Sequence, residues 1–193
     1  LFENAFSQAS WSLPSYASTF TSVYPSEHGV GSQSTKLDSR WRTLAGILRD
    51  YGYDTAAFVG GGHLIPAFGL TQGFNRYESP EVLTSISVSV DNAARWLESR
   101  DSKPFFMFVH YWDPHTPYLP PAPFARMFYS RFRDEKAKSH RSMAPVWKRY
   151  EALKHYFGQW LGGFGAVTDA DYVDDLYDGE IAYGDANLAE FLA

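Results

Sequence analysis

The sequence predicts an α/β fold, a mostly parallel or mixed sheet sandwiched by helices, and two observations lead there. A helical phrase gives way to a short apolar run twice over, and each run passes directly into a loop that carries a histidine. In the first unit of this pattern, Thr43 to Tyr51 places Leu44, Ile47 and Leu48 at helical spacing, with Gly52 where a helix C-cap belongs. Thr55 to Val59 (TAAFV) then reads as a buried strand, ending on the triplet Gly60-Gly61-Gly62 before His63. The second unit repeats the order. Val88 to Ser99 reads as an amphipathic helix with Ala93, Ala94 and Leu97 on one side, Lys103-Pro104 breaks the chain, and Phe105 to Tyr111 (FFMFVHY) reads as a strand. Its loop is Trp112-Asp113-Pro114-His115-Thr116-Pro117. In open sheets of this type ligands gather beyond the carboxyl ends of the strands, which is where His63 and His115 fall.

The flanking segments complete the layers. Pro14 suits the first turn of a helix, so Ser12 stands just ahead of a helix running through about Thr21. Residues 120–142 turn basic and aromatic without a period and read as an irregular surface insertion, in which a run of charges is ordinarily a solvated face. Ala144 to Phe157 and Asp171 to Leu192 are helical by pattern, and neither repeats nor low-complexity stretches occur. Asp169, Asp171, Asp174, Asp175 and Asp178 cluster around the start of the last helix, where carboxylates complement the helix dipole.

At 193 residues, with 45% hydrophobic and 20% charged residues, the chain is expected to build one sizeable core. A formal net charge of −5 gives no electrostatic reason to bind a nucleic-acid backbone, which needs a concentrated Lys/Arg surface. An anionic substrate would have to be met by local cations. The absence of cysteine excludes disulfides and thiolate metal sites. No apolar run approaches the ~18 residues of a membrane span. The chain opens on Leu1-Phe2 without a methionine and closes on a helical phrase, NLAEFLA, without a stop signal, so both ends are expected to continue into a longer protein.

Ser12 has two readings from the residues alone. A serine before proline at a helix start is the ordinary N-cap arrangement. The same position, beside unpaired backbone N–H groups and a partial positive charge, suits an oxygen nucleophile that attacks a sulfate or phosphate ester. The longer phrase SLPSYASTFTSVYPSEHGV resembles the signature of the sulfatase family in the alkaline-phosphatase superfamily, with Ser12, Pro14, Ser15, Thr21, Tyr24, Pro25, His28, Gly29 and Val30 in register. TLAGILRDYGYDTAAFVGGGH is similar to that family's following helix and strand, FGLTQGFNRYES to its Gly-Phe-aspartate loop, and PFFMFVHYWDPHTPYLPP to its Pro-His-x-Pro loop. YDGEIAYGDANLAEFL is similar to the helix before the family's late Asp-His metal motif. The likeness covers nearly all of the chain, residues 120–142 excepted.

The resemblance implies a catalytic domain, incomplete at both ends, of a sulfuric ester hydrolase. It casts Ser12 as the nucleophile position and a metal ligand, convertible to formylglycine, with His115 contacting the sulfate and His63 acting as proton carrier. It also implies a divalent metal, calcium or else zinc or manganese, whose carboxylate ligands are expected outside residues 1–193. Three positions depart from the family pattern: Tyr16 replaces an arginine, Gly61 the substrate-binding lysine, and Ser22 the glycine of Thr-Gly. Two alternatives therefore stand beside the sulfatase reading. One is a phosphatase, phosphodiesterase or phosphoethanolamine-type transferase using unmodified Ser12, and the other a sulfatase-like fold that binds without catalysis. His110, inside an apolar run, is expected to be a hydrogen-bonded core residue, and His28 to close the turn after Tyr24-Pro25.

Overall fold

A computed structural model of the chain describes residues 3–129, 141–146, 148–149 and 169–193. The elements are α1 (Ser12–Thr21), α2 (Pro25–His28), α3 (Leu44–Asp50), β1 (Asp54–Val59), β2 (Arg76–Glu78), α4 (Ile86–Ser99), β3 (Phe105–His110) and α5 (Ala170–Leu192). One core was expected; the chain instead groups into two compact units, Leu1–Trp112 and Asp113–Ala193. The first gathers its apolar side chains around a sheet, and the second gathers Tyr118, Tyr172 and Val173 around Leu176 of α5.

The sheet is parallel, in the order β2-β1-β3. Asp54 lies opposite Phe105 and the register continues to Val59 opposite His110, so the two strands read from sequence are direct neighbours. β2 was read as part of a loop. It has three residues, two of them charged, and so offers no apolar run or period to detect; it pairs with β1 from Ala56↔Arg76 to Phe58↔Glu78.

Side chains alternate across the strands as the pleat requires. Ala57 and Val59 of β1 face a cluster with Leu13, Ala17 and Phe20 of α1, Leu64 and Leu70. On the same face Phe108 of β3 meets Phe20 edge to face, with ring centroids 4.9 Å apart. On the opposite face Phe58 and Phe105 lie at 6.0 and 5.8 Å from the Trp96 ring of α4. The buried stripe of α4 is Ile86, Ser89, Val90, Ala93 and Trp96, rotated toward the tryptophan from the Ala93, Ala94, Leu97 side expected on residue type alone. α3 ends as expected at Gly52: with φ at +86°, its N–H donates to the Arg49 carbonyl and that of Tyr53 to the Leu48 carbonyl, a Schellman closure.

Thr55 ties the strand to its surroundings. Its hydroxyl donates to the Gly73 carbonyl at 2.7 Å and accepts from the Asn75 N–H at 3.0 Å. Thr43, the N-cap of α3, accepts from the Gly46 N–H and donates to the Gln72 carbonyl. Residues 72–75 are thereby held from both sides.

In the second unit Asp169 caps α5, accepting from the Asp171 N–H and from the Tyr129 hydroxyl. Asp171 and Asp174 pair with Arg141. These acidic groups serve the helix start, as expected. Residues 120–129 are irregular apart from a 3-10 turn, Phe124–Arg126; the remainder of the insertion to residue 140, and most of the helix expected over Ala144 to Phe157, lie outside the described residues.

Two histidines are structural, His28 buried and His110 half-buried. His28 accepts the Val30 N–H at Nδ1 and donates from Nε2 to the Ser18 hydroxyl, closing the turn as expected, and burial holds its pKa below the ordinary value. His110 accepts the Gly60 N–H at Nδ1, and burial lowers it to about 4. Since an unfolded histidine protonates near ~6.5, the unfolded chain binds more protons between about pH 6.5 and 4. Stability is therefore expected to fall through that window, by roughly 3 kcal/mol for His110. Urea midpoints taken from pH 7 to pH 4 should flatten in His110→Asn, and an unchanged slope would show that His110 does not titrate this way. A second expectation concerns Ser22, which ends α1 in the left-handed region at φ +57°. Ser22→Gly should raise stability by about 0.5–1 kcal/mol, because a Cβ is disfavoured there; equilibrium unfolding checks it.

Candidate active site

Ser12 is the first residue of α1, and Trp11, extended at φ −148°, is the cap. Sequence placed Ser12 one step earlier, at the cap itself. No side chain makes the cap hydrogen bond, so the Ser12 hydroxyl is not committed to the N-cap role. Pro14 carries no N–H and the Ser15 N–H reaches back to the Trp11 carbonyl at 3.4 Å, leaving those of Ser12 and Leu13 without an intrahelical acceptor. Upstream, the Ser7 and Ser15 hydroxyls pair at 2.7 Å and pin the approach to the helix.

β1 ends in the glycine triplet, and the chain then turns through Gly62–Leu64, a 3-10 turn carrying His63. The His63 ring lies between Trp11, edge on at 5.1 Å, and Phe68 at 5.7 Å. The residue preceding Ser12 thus touches His63 directly, and the first unit brings the start of α1 and the loop after β1 into one neighbourhood. Behind this loop, Trp112 from the end of β3 lies so near Gly62 that a Cβ there would stand 2.4 Å from the indole. His115 belongs to the second unit, where its Nδ1 donates to the Thr116 carbonyl at 2.7 Å.

The departures from the family pattern have physical content. Tyr16, half-buried on α1, meets Phe108 and His110 edge to face at 5.8 and 5.4 Å. Burial, with Tyr111 nearby, raises its phenol above the ordinary value, which favours the neutral form. Gly61 adopts φ +98°, ψ −146°, a region open only to glycine, so the loop at this position has a backbone that a lysine could not share. Aromatic rings thus flank His63, from Trp11 and Phe68, and Tyr16 one turn on from Ser12 adds a neutral ring where the family pattern has a cation.

Among the described residues no three His, Asp or Glu side chains gather as a metal-ligand set. They do not by themselves build the divalent centre that the resemblance implies. No helix among them is long and apolar enough to cross a membrane. Sequence reasoning missed Trp11, Trp112 and Glu180. The first two carried the available signal of aromatics abutting a helix start and a strand end, and Glu180 that of a carboxylate in step with Leu176 and Tyr183 on a helix.

Known proteins agree with this architecture. The chain superposes on the phosphonate monoester hydrolase of Agrobacterium radiobacter with a TM-score of 0.64 at 19% identity, over 96% of this chain and 50% of that one. It superposes on BT4656, solved in complex with its substrate D-glucosamine-2-N,6-O-disulfate, with a TM-score of 0.59 at 19% identity, over 95% and 46%. The multifunctional alkaline phosphatase superfamily protein PehA of Trinickia caryophylli is 28% identical over 97 residues, 47% of this chain and 19% of its own length. The chain spans about half the length of the solved structures it matches. These likenesses establish an alkaline-phosphatase/sulfatase-type fold. The sequence profile described as Sulfatase matches residues 1–193, end to end, and the chain belongs to the sulfatase family.

Proposed function

We propose that the whole protein is a sulfatase-type ester hydrolase in which Ser12 occupies the nucleophile position and His63 and His115 serve the reacting ester. The observation that carries this reading is the contact of Trp11 with His63, which joins the start of α1 to the loop after β1. A structural cap and an unrelated loop histidine have no reason to meet. In this reading the Ser12 oxygen attacks the sulfur or phosphorus of the ester as the bond to the alcohol oxygen breaks, the N–H groups of Ser12 and Leu13 favour the charge on the transferred group, His63 passes the proton given up by the Ser12 hydroxyl to the departing alcohol, and water then releases the group from Ser12. His115 contacts the ester oxygens. The divalent cation, calcium or alternatively zinc or manganese, needs carboxylates from beyond the described residues.

A second reading is favoured by Tyr16 and Gly61. With neutral groups at both positions, Ser12 acts without conversion to formylglycine, on a phosphate, phosphodiester or phosphonate ester. PehA and the phosphonate monoester hydrolase are named for superfamily chemistry of that kind. A fold that binds such esters without turnover is the outcome if neither ester class is hydrolysed.

In the whole protein Ser12→Ala should lower kcat by about three orders of magnitude, and His63→Ala by about two. Full activity in Ser12→Ala would remove the assignment. Mass spectrometry of the Ser12 peptide separates the two enzyme readings. A loss of two hydrogens marks formylglycine and sulfate-ester hydrolysis, and an unmodified serine in an active protein marks the phosphate-type branch. Gly61→Lys should not restore a sulfatase-like cation. It should instead cost about 1–3 kcal/mol of stability through backbone strain, read by thermal unfolding, and a stable variant with raised turnover of aryl sulfate would contradict the strain assigned to this loop.

A further inference from the structure

Glu180 is the buried ionisable side chain that the reading above leaves without a task. It lies midway along α5, 4% exposed, and its Oε1 accepts the Leu119 N–H at 2.7 Å. Leu119 is four residues beyond His115. The chain on either side of that bond packs along the same helix. Tyr118 meets Tyr177 at 5.3 Å, Phe124 meets Tyr183 at 5.5 Å, and Gly179 lets the Phe124 carbonyl come so near that a Cβ would stand 2.7 Å from it. An apolar side chain at position 180 would fill the space equally well but would take the acceptor away from the Leu119 N–H. A carboxylate is an expensive way to fill it. Burial, opposed by the Leu119 N–H and assisted by Asp113, raises the Glu180 carboxyl to about 7. A residue kept buried against that penalty, with one short bond to the segment leaving His115, is placed to fix that segment.

We propose that Glu180 is a positioning residue which, through the Leu119 N–H, holds the Asp113–Leu119 loop and with it the imidazole of His115. The proposal rests on the reading of His115 as a group that serves the ester. It requires an acceptor at position 180 and does not require a negative charge there.

The test uses the whole protein with 4-nitrophenyl sulfate and 4-nitrophenyl phenylphosphonate as probes, together with hydrogen exchange at the Leu119 amide. Glu180→Ala should speed exchange at Leu119 and lower kcat/KM for the ester turned over by about tenfold to a hundredfold, the scale of a misplaced reacting group. Glu180→Gln keeps an acceptor oxygen and should restore both. In a His115→Ala background, adding Glu180→Ala should cost nothing further. Far-UV circular dichroism identifies a variant that fails to fold, in which case Glu180→Gln and the exchange measurement carry the comparison. Unchanged exchange at Leu119, a Gln variant as impaired as Ala, or a full additional loss on top of His115→Ala would overturn the proposal while leaving His115 in place. Full turnover in His115→Ala alone would overturn the reading of His115 and the catalytic part of the proposal together; faster Leu119 exchange in Glu180→Ala would then still show that Glu180 holds the loop.

Discussion

The first unit depends on one strand being held on all four sides, and the Thr55 hydroxyl is where that hold is set. β1 has parallel partners on both edges and apolar layers on both faces, so a shift of one residue would turn Ala57 and Val59 away from α1 and carry Thr55 off its partners. Thr55 donates to Gly73 and accepts from Asn75, which fixes the segment entering β2, and Thr43 fixes the same segment from α3 through Gln72. With the register set, the strand delivers its carboxyl end to the glycine triplet, and His63 follows. The position of the candidate site is thus decided at the opposite end of the strand from the chemistry.

What sequence could read, it read through period and phrase. The apolar runs around Phe58 and Phe108 announced two neighbouring strands, and the phrase from Ser12 to Val30 announced both the helix start and the family. β2 escaped because three residues with two charges carry no periodicity, and its pairing is imposed by Thr55 from a distance. The displacement of the α1 cap from Ser12 to Trp11 is a difference of one residue in backbone angle that no residue preference encodes. The grouping into two units was hidden because composition counts apolar residues without saying which of them meet. Glu180 was invisible for the same reason, since its bond to Leu119 spans 61 positions of sequence.

The departures at positions 16 and 61 were legible as letters but not as physics. Tyr16 is more than a lost cation: with Phe108 and His110 it forms a neutral aromatic face, and the histidine within it is held uncharged by burial. A wall of this kind lowers the local dielectric, which strengthens what remains, namely the partial charge at the start of α1 and any metal supplied from elsewhere. Two arginines of this unit pair with carboxylates, Arg42 with Asp50 and Arg76 with Glu78.

The glycine loop after β1 also bears on which substitutions the chain can accept. Gly61 sits in a conformation that admits no side chain, and Gly62 lies beneath an indole that leaves no room for one. Each alone could be undone by a single substitution elsewhere in a looser protein. Together they constrain the loop twice over: a side chain at position 61 requires a different backbone, and one at position 62 requires the Trp112 ring to move. A side chain in this loop therefore needs two coordinated changes, a different backbone at position 61 and a displaced indole over position 62, so single substitutions that alter the neighbourhood of His63 are better tolerated at the surrounding aromatic rings than in the glycine triplet.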